Sequence, residues 1–415
     1  MTKKNKERVL VFGDDTRIFL AVARSLGRAG KEVHAVPFNW RAPALKSKYI
    51  DVVHRLPRYS DNPASWRAAV LQLLQSENYD LVIPCCDDRA MLSFHMHRED
   101  FVAYPIAIPD AAIIDLLFDK QLTRELAAQC GVPIVPGRRL SESDTASGLV
   151  AAYGLPLVLK PRRSYWPDKL DGWGKVFIAE SEGDAAKVLA GLHDRPRYLT
   201  EGHFHGIGVG VSVLAEKGRL LHAFQHRRLR EGWAGASSYR ESEAINPALY
   251  EACEKICDYT KLTGVCMFEF RFNPKTLEWV LLETNARFWG SLPLPVSLGV
   301  NFPLYLYDLL VHNRYQAPVA YRVGVRSRNV VLDGLNLLAS LRRLRRNGIG
   351  GWLVEVGQFI AQPVGWLTRR ERSDSFVIDD LRPAFAECAQ LIMSLRHKLS
   401  RGRGALARRR SEQAA

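Results

Sequence analysis

Apolar positions follow two rhythms along the chain. Residues 9–13 (VLVFG) form a short apolar run closed by Gly13, Asp14 and Asp15. Residues 18–29 then repeat with a helical period, and residues 33–36 are again apolar and β-rich. That order predicts strand, helix, strand, because side chains share a helix face every three to four residues and a strand face every second residue. Residues 63–75 predict another helix. Residues 81–84 (LVIP) predict a buried strand, with Asp87 and Asp88 just beyond it as helix caps. The alternation predicts an open parallel α/β domain over residues 1–110. Residues 119–130 predict a helix stopped by Gly131 and Pro133, and residues 156–161 (PLVLKP) a strand. A Gly- and aromatic-rich loop spans 162–175. Residues 197–201 predict a strand running into a Gly/His stretch over 202–210. Two hairpins follow, over 211–227 and 265–285, turning at Lys217-Gly218 and Asn273-Pro274, with a helix over 247–259 between them. Gly13 stands without a G-x-G-x-x-G after the first strand, so no dinucleotide is assigned to the opening domain.

Charge divides the chain. Residues 321–415 carry 18 Lys+Arg against 8 Asp+Glu, and the remainder 40 against 36. The basic character therefore belongs to the C-terminal segment, and the near-neutral body argues against a nucleic-acid binder. Within that segment, residues 335–346 (LNLLASLRRLRR) have a Leu face and an Arg face. Contact of 335–370 with a membrane surface is one reading, and packing of these helices on the body is the other. The seven cysteines show no metal-binding spacing, and the charged opening lacks the apolar core of a signal peptide. A cytoplasmic protein is the expectation, attached to the inner membrane surface if the first reading of 335–370 holds.

The sharpest chemical feature is Glu283-Thr284-Asn285-Ala286-Arg287 together with Glu269. Alternate strand residues share a face, so Glu283 and Asn285 point one way, and the hairpin brings Glu269 within about two residues of facing Glu283. Two carboxylates between apolar flanks (VCMF and WVLL) are costly unless something offsets them. Mg²⁺ would, since it takes hard oxygen ligands, with Arg287 covering an anion. An internal salt-bridge network of Glu269, Arg271, Glu283 and Arg287 is the other reading. Lys160 ends an apolar strand and Lys120 opens a helix, but neither is informative alone. Gly172 and Gly174 can turn backbone N–H groups toward phosphate oxygens. Arg228, in HRRLRE, is either an anion contact or an ordinary surface arginine.

In order, these signals resemble the ATP-grasp superfamily over roughly residues 1–312. AFQHRRLREGW and ETNARFWGSLPLPVSLGVNFPLYLY resemble a bacterial branch of carboxylate–amine ligase-like members. The resemblance implies a two-subdomain ATP-grasp fold over 111–320, preceded by the α/β domain and followed by a basic, partly helical extension over 321–415 with a disordered end. It also implies Mg·ATP (or Mn²⁺) as cofactor. Lys120, Lys160 and the DGWGK loop, with Gly172 and Gly174, would hold phosphates. Glu201 would lead the adenine hinge. Glu269, Glu283 and Asn285 would hold metal. Arg287 and Arg228 would serve the transferring group. The implied reaction joins a small carboxylate to an amine through an acyl phosphate. A phosphotransferase and a non-catalytic nucleotide-binding module remain as alternatives, and a homodimer is left open.

Overall fold

The computed structural model describes residues 6–166, 170, 174–231, 237–341 and 344–394. Strands β1 (Arg8–Phe12), β2 (Glu32–Val36), β3 (Val52–Val53) and β4 (Leu81–Pro84) form the expected parallel sheet, in the order β3-β2-β1-β4. Val9, Val11, Val33 and Ala35 pack on one side with the helix Ile18–Arg28. Leu10, Phe12 and Val82 pack on the other with Trp66 and Val70 of the helix Pro63–Ser76. Both faces are thus covered, which is why the strands read as continuous apolar runs. The strand order reverses between β1 and β4. Their carboxyl ends lead there into residues 13–15 and 85–88, where the Asp14 N–H donates to Cys86 Sγ at 3.2 Å, at the position where open α/β sheets bind ligands.

A small antiparallel sheet follows: β5 (Gly137–Arg139), β6 (Leu157–Pro161), β7 (Phe177–Ala179) and β8 (Tyr198–Gly202), ordered β5-β8-β6-β7. The third sheet has seven strands. They are β9 (Ile207–Glu216), β10 (Arg219–Glu231), β11 (Ser237–Glu243), β12 (Gly264–Phe272), β13 (Trp279–Asn285), β14 (Arg326–Arg328) and β15 (Glu371–Ser373), ordered β13-β12-β9-β10-β11-β14-β15. One face buries Val209, Val211, Val213, Phe268 and Phe270 against Leu249, Ala252 and Ile256 of the helix Pro247–Thr260. The opposite face carries polar side chains toward the cleft described below.

Two expectations change. The hairpin expected over 211–227 is longer at both ends: β9 already begins at Ile207, inside the Gly/His stretch, and β10 runs on to Glu231. The glycines sit inside the strand because larger side chains would not fit there. A Cβ on Gly208 would strike Glu231 and lie 2.8 Å from Arg228 Cδ, and one on Gly210 would strike the His226 ring. The second change concerns residue 320, where an extension was expected to begin. The large sheet continues past it, since Arg326–Arg328 and Glu371–Ser373 are its last two strands. The helix Val330–Leu341 packs beside β11, with its Asp333 fully buried against Arg230, Arg328 and Ser238. The disordered end expected over residues 401–415 lies outside the described residues. No helix among the described residues is long and apolar enough to cross a membrane.

Candidate active site

The hairpin β12–β13 places Glu269 directly opposite Glu283 and Met267 opposite Asn285. Two carboxylates thus face each other on one side of the sheet, and cations reach them from four separate elements. Lys120, the first residue of the helix Lys120–Gln129, puts Nζ 3.4 Å from Glu283 Oε2. Lys160 at the end of β6 directs Nζ toward the Leu282 carbonyl at 3.5 Å. Arg228 extends from β10 across β9 to ion-pair with Glu269, over the space that Gly208 and Gly210 leave empty. Arg287 lies just past β13 and donates to Asn285 Oδ1 at 2.9 Å. Asn285 in turn donates its Nδ2 to Glu269 Oε1 at 3.3 Å.

The electrostatics of the two carboxylates differ. Burial pushes Glu283 up, but the fields of Lys120, Lys160, Arg228 and Arg287 together hold it below the ordinary carboxylate range. Glu269 lies above that range: burial raises it, and the facing Glu283 charge adds to the rise against the pull of Arg228. Glu269 is therefore the less readily ionised of the two. A divalent cation between two hard carboxylate oxygens would favour its charged form. Asn285 presents its nitrogen to Glu269 and its oxygen to Arg287, so it meets a metal only after a half-turn of the amide. No group of three or more His, Cys, Asp or Glu residues among the described residues has metal-holding geometry. The oxygen set is the carboxylate pair, with Asn285 as its neighbour.

The remaining expected residues fall as follows. Glu201 on β8 is buried and held by Lys160 at 2.7 Å and Arg124 at 2.7 Å, so its carboxylate anchors two cations at the edge of the cleft. Gly174 abuts Pro161, where a Cβ would lie 2.5 Å from Pro161 Cγ, whereas Gly172 lies outside the described residues. Arg271, placed in the salt-bridge reading beside Glu269, pairs instead with Glu231 at 2.7 Å. Arg287 is tied to Asp88 of the first domain at 2.5 Å, and burial is outweighed by that carboxylate in holding its charge.

Three contributors were missed from sequence. Arg124 lies one helical turn after Lys120, a spacing that signals a shared face. Asp119 caps the same helix and accepts from Arg162 at 2.7 Å and Arg163 at 3.2 Å, which fixes the start of the 162–175 loop. Asp88 carried only the signature of a helix cap. Its contact with Arg287 joins the switch-point crevice to the carboxylate pair, across a separation that no local pattern reports.

A parallel α/β domain, a small antiparallel sheet supplying a lysine, and a large sheet bearing a carboxylate pair make up the ATP-grasp fold, and the chain has that fold. Residues 195–331 match the family model described as ATP-grasp in the biosynthetic pathway with Ter operon. The chain is 22% identical over 335 residues to a D-aspartate ligase of Enterococcus faecium, covering 75% of this chain and 78% of that one. It is also 25% identical over 196 residues to a pyruvate carboxylase of Schizosaccharomyces pombe. That match covers 43% of this chain, which spans only 16% of the carboxylase. Among solved structures, the biotin carboxylase domain of Hydrogenobacter thermophilus 2-oxoglutarate carboxylase, in complex with MgADP, ADP and bicarbonate, is similar at a TM-score of 0.60. Its sequence identity is 16%, over 77% of this chain and 73% of that one.

Proposed function

We propose that the protein is an ATP-dependent ligase that joins a small-molecule carboxylate to an amine through an acyl phosphate. The observation that carries this reading is the facing pair Glu269 and Glu283, reached by Lys120, Lys160, Arg228 and Arg287 from separate elements. Such an arrangement suits transfer of a phosphoryl group, in which positioning and charge neutralisation do most of the work. The D-aspartate ligase similarity extends over most of both chains, whereas the pyruvate carboxylase similarity is confined to a small part of the longer one, which favours amide formation.

In the first half-reaction an oxygen of the substrate carboxylate attacks the γ-phosphorus, the bond to the β-phosphate oxygen breaks, and ADP leaves. In the second, the amine nitrogen attacks the acyl carbon and the phosphate leaves with the bonding pair. Lys120 and Lys160 stand where they would hold phosphate oxygens, and Arg228 and Arg287 where they would face the transferring group. Glu269 and Glu283 would hold Mg²⁺, with Mn²⁺ as a substitute, and the metal supplies neutralisation of the phosphate charge. Residues 162–175 would exclude water from the acyl phosphate. We place the reaction in the cytoplasm, in keeping with the seven free cysteines.

The test is ADP release with Mg²⁺ against paired pools of acids and amines, on the wild type and on Glu283→Gln. Release that needs both an acid and an amine, and that is lost in the variant, supports the ligase. A phosphorylated product without amide identifies a phosphotransferase. Nucleotide binding with no ADP release for any pair removes the ligase reading.

A further inference from the structure

The face of the seven-stranded sheet turned away from the nucleotide cleft carries a second concentration of charge. At the β11–β14–β15 end, Arg322, Arg326 and Arg370 line a cleft of about 620 Å³, with Val364 and Thr368 on its helical wall. Arg326 is matched by Glu241 at 2.8 Å. Arg322, Arg369, Arg370 and Arg372 have no carboxylate partner among the described residues. They crowd one another: burial, and then the charges of Arg322 and Arg369, pull Arg372 below its ordinary value. The carboxylate in the wall, Glu371, is already committed to Arg328 at 3.0 Å and to the Tyr239 hydroxyl at 3.3 Å. Arg322 and Arg370 line the cavity itself, and uncompensated arginines at one cavity repel unless an anion joins them. The guanidinium fork matches paired phosphate oxygens.

A second observation lies at the lip of this cleft. In the helices Leu344–Ile360 and Gln362–Leu367, the residues Leu353, Ile360, Val364 and Leu367 recur on one helical side. Their exposures are 56%, 71%, 62% and 84%. Such a stripe normally turns toward a core. Here it faces solvent, and Val364 belongs both to the stripe and to the cationic cleft. An apolar helix side beside unpaired cations is the composition of an element that lies in a lipid–water interface.

We propose that the Arg322–Arg326–Arg370 cleft binds a phosphate-bearing anion, and that the source of that phosphate is the head group of an anionic phospholipid, with the 353–367 stripe entering the lipid layer. Docked in this way, the protein keeps the opposite face of the large sheet, with Glu269 and Glu283, turned away from the membrane. The site does not depend on the ligase reading.

The experiment uses the full chain in flotation with phosphatidylcholine vesicles, with and without phosphatidylglycerol. It is paired with thermal melting in glycerol 3-phosphate. The variants are Arg322→Gln/Arg370→Gln and Val364→Ser/Leu367→Ser. All four positions are exposed, and an unchanged melting temperature confirms folding. The wild type should float only with the anionic vesicles. Each arginine at an anionic surface contributes about fivefold, so the double arginine variant should bind about twenty-five-fold more weakly. The serine variant should also lose flotation. Flotation equal on neutral and anionic vesicles, or unchanged in the arginine variant, overturns the proposal. Stabilisation by glycerol 3-phosphate that needs Arg322 and Arg370, with no vesicle binding, overturns the lipid source and assigns the cleft to a free phosphate compound.

Discussion

Two sets of buried charges occupy this fold, and they are built differently. In the first, Arg24 of the opening domain meets Asp380 near the end of the chain. Its Nε reaches the carboxylate at 2.9 Å, and its other nitrogens donate to the Asp374, Ser375 and Asp380 carbonyls. Ser47 and the Lys48 N–H complete the carboxylate. Each guanidinium nitrogen has an acceptor, and both side chains are almost fully buried. In the second set, Glu269 and Glu283 face each other, and Glu283 keeps 31% of its side chain exposed. Its cations arrive singly from elements that belong to different parts of the fold. A saturated pair marks a structural tie, whereas a like-charged pair at an opening marks a place for something that is not protein.

The largest effect should come from the tie. Asp380→Ala leaves Arg24 buried without its carboxylate and should cost about 3–5 kcal/mol of stability. Thermal melting would show it, while turnover per folded molecule stays near wild type. A comparable loss of turnover would mean that the tie also shapes the cleft. Glu283→Gln should do the reverse. Turnover should fall by about 10²–10³-fold. The melting temperature should fall only slightly, because the variant loses the attraction of Lys120, Lys160, Arg228 and Arg287 together with the repulsion from Glu269. Gly208→Ala tests the route by which Arg228 reaches Glu269. The added methyl meets Glu231 and Arg228, and overpacking of this kind costs about 1–3 kcal/mol. Activity should fall with it, and retained activity would show that Arg228 can reach the site another way.

What the sequence made legible follows the same division. The facing carboxylates could be inferred because a hairpin fixes its own register, whereas Lys120 and Lys160 stood out only through the order of motifs that resembles the ATP-grasp pattern. The tie could not be inferred: Arg24 and Asp380 are 356 residues apart, and neither local pattern marks burial. Nor could β14 and β15, which are three residues each, RSR and ERS, with a polarity that argues against a sheet interior. They are stable there because Arg328 pairs with Asp333 and Glu371, and Ser327 with Asp374, with almost none of these side chains exposed. The start of β9 was also hidden: the glycines at 208 and 210 weaken a strand pattern, yet Gly208 lies in the strand and leaves room for Arg228.

The smallest effect concerns a carboxylate of neither kind. Asp14, at the carboxyl end of β1, accepts from the Asn39 N–H at 2.5 Å but has no ion-pair partner among the described residues. Burial pushes it up to about 6 from 3.8, and the charges of Asp15 and Asp87 oppose its ionisation further. The folded protein therefore binds more protons than the unfolded chain between those values. Stability from this group is present below 3.8, falls as the pH rises toward about 6, and is gone above it. Asn at this position keeps an oxygen for Asn39 and carries no charge. Asp14→Asn should melt with the wild type in acid and above it at neutral pH, by about 1 kcal/mol once its partly exposed edge is discounted. Equal melting at both ends would mean that Asp14 is compensated in solution, and would place it with the saturated carboxylates.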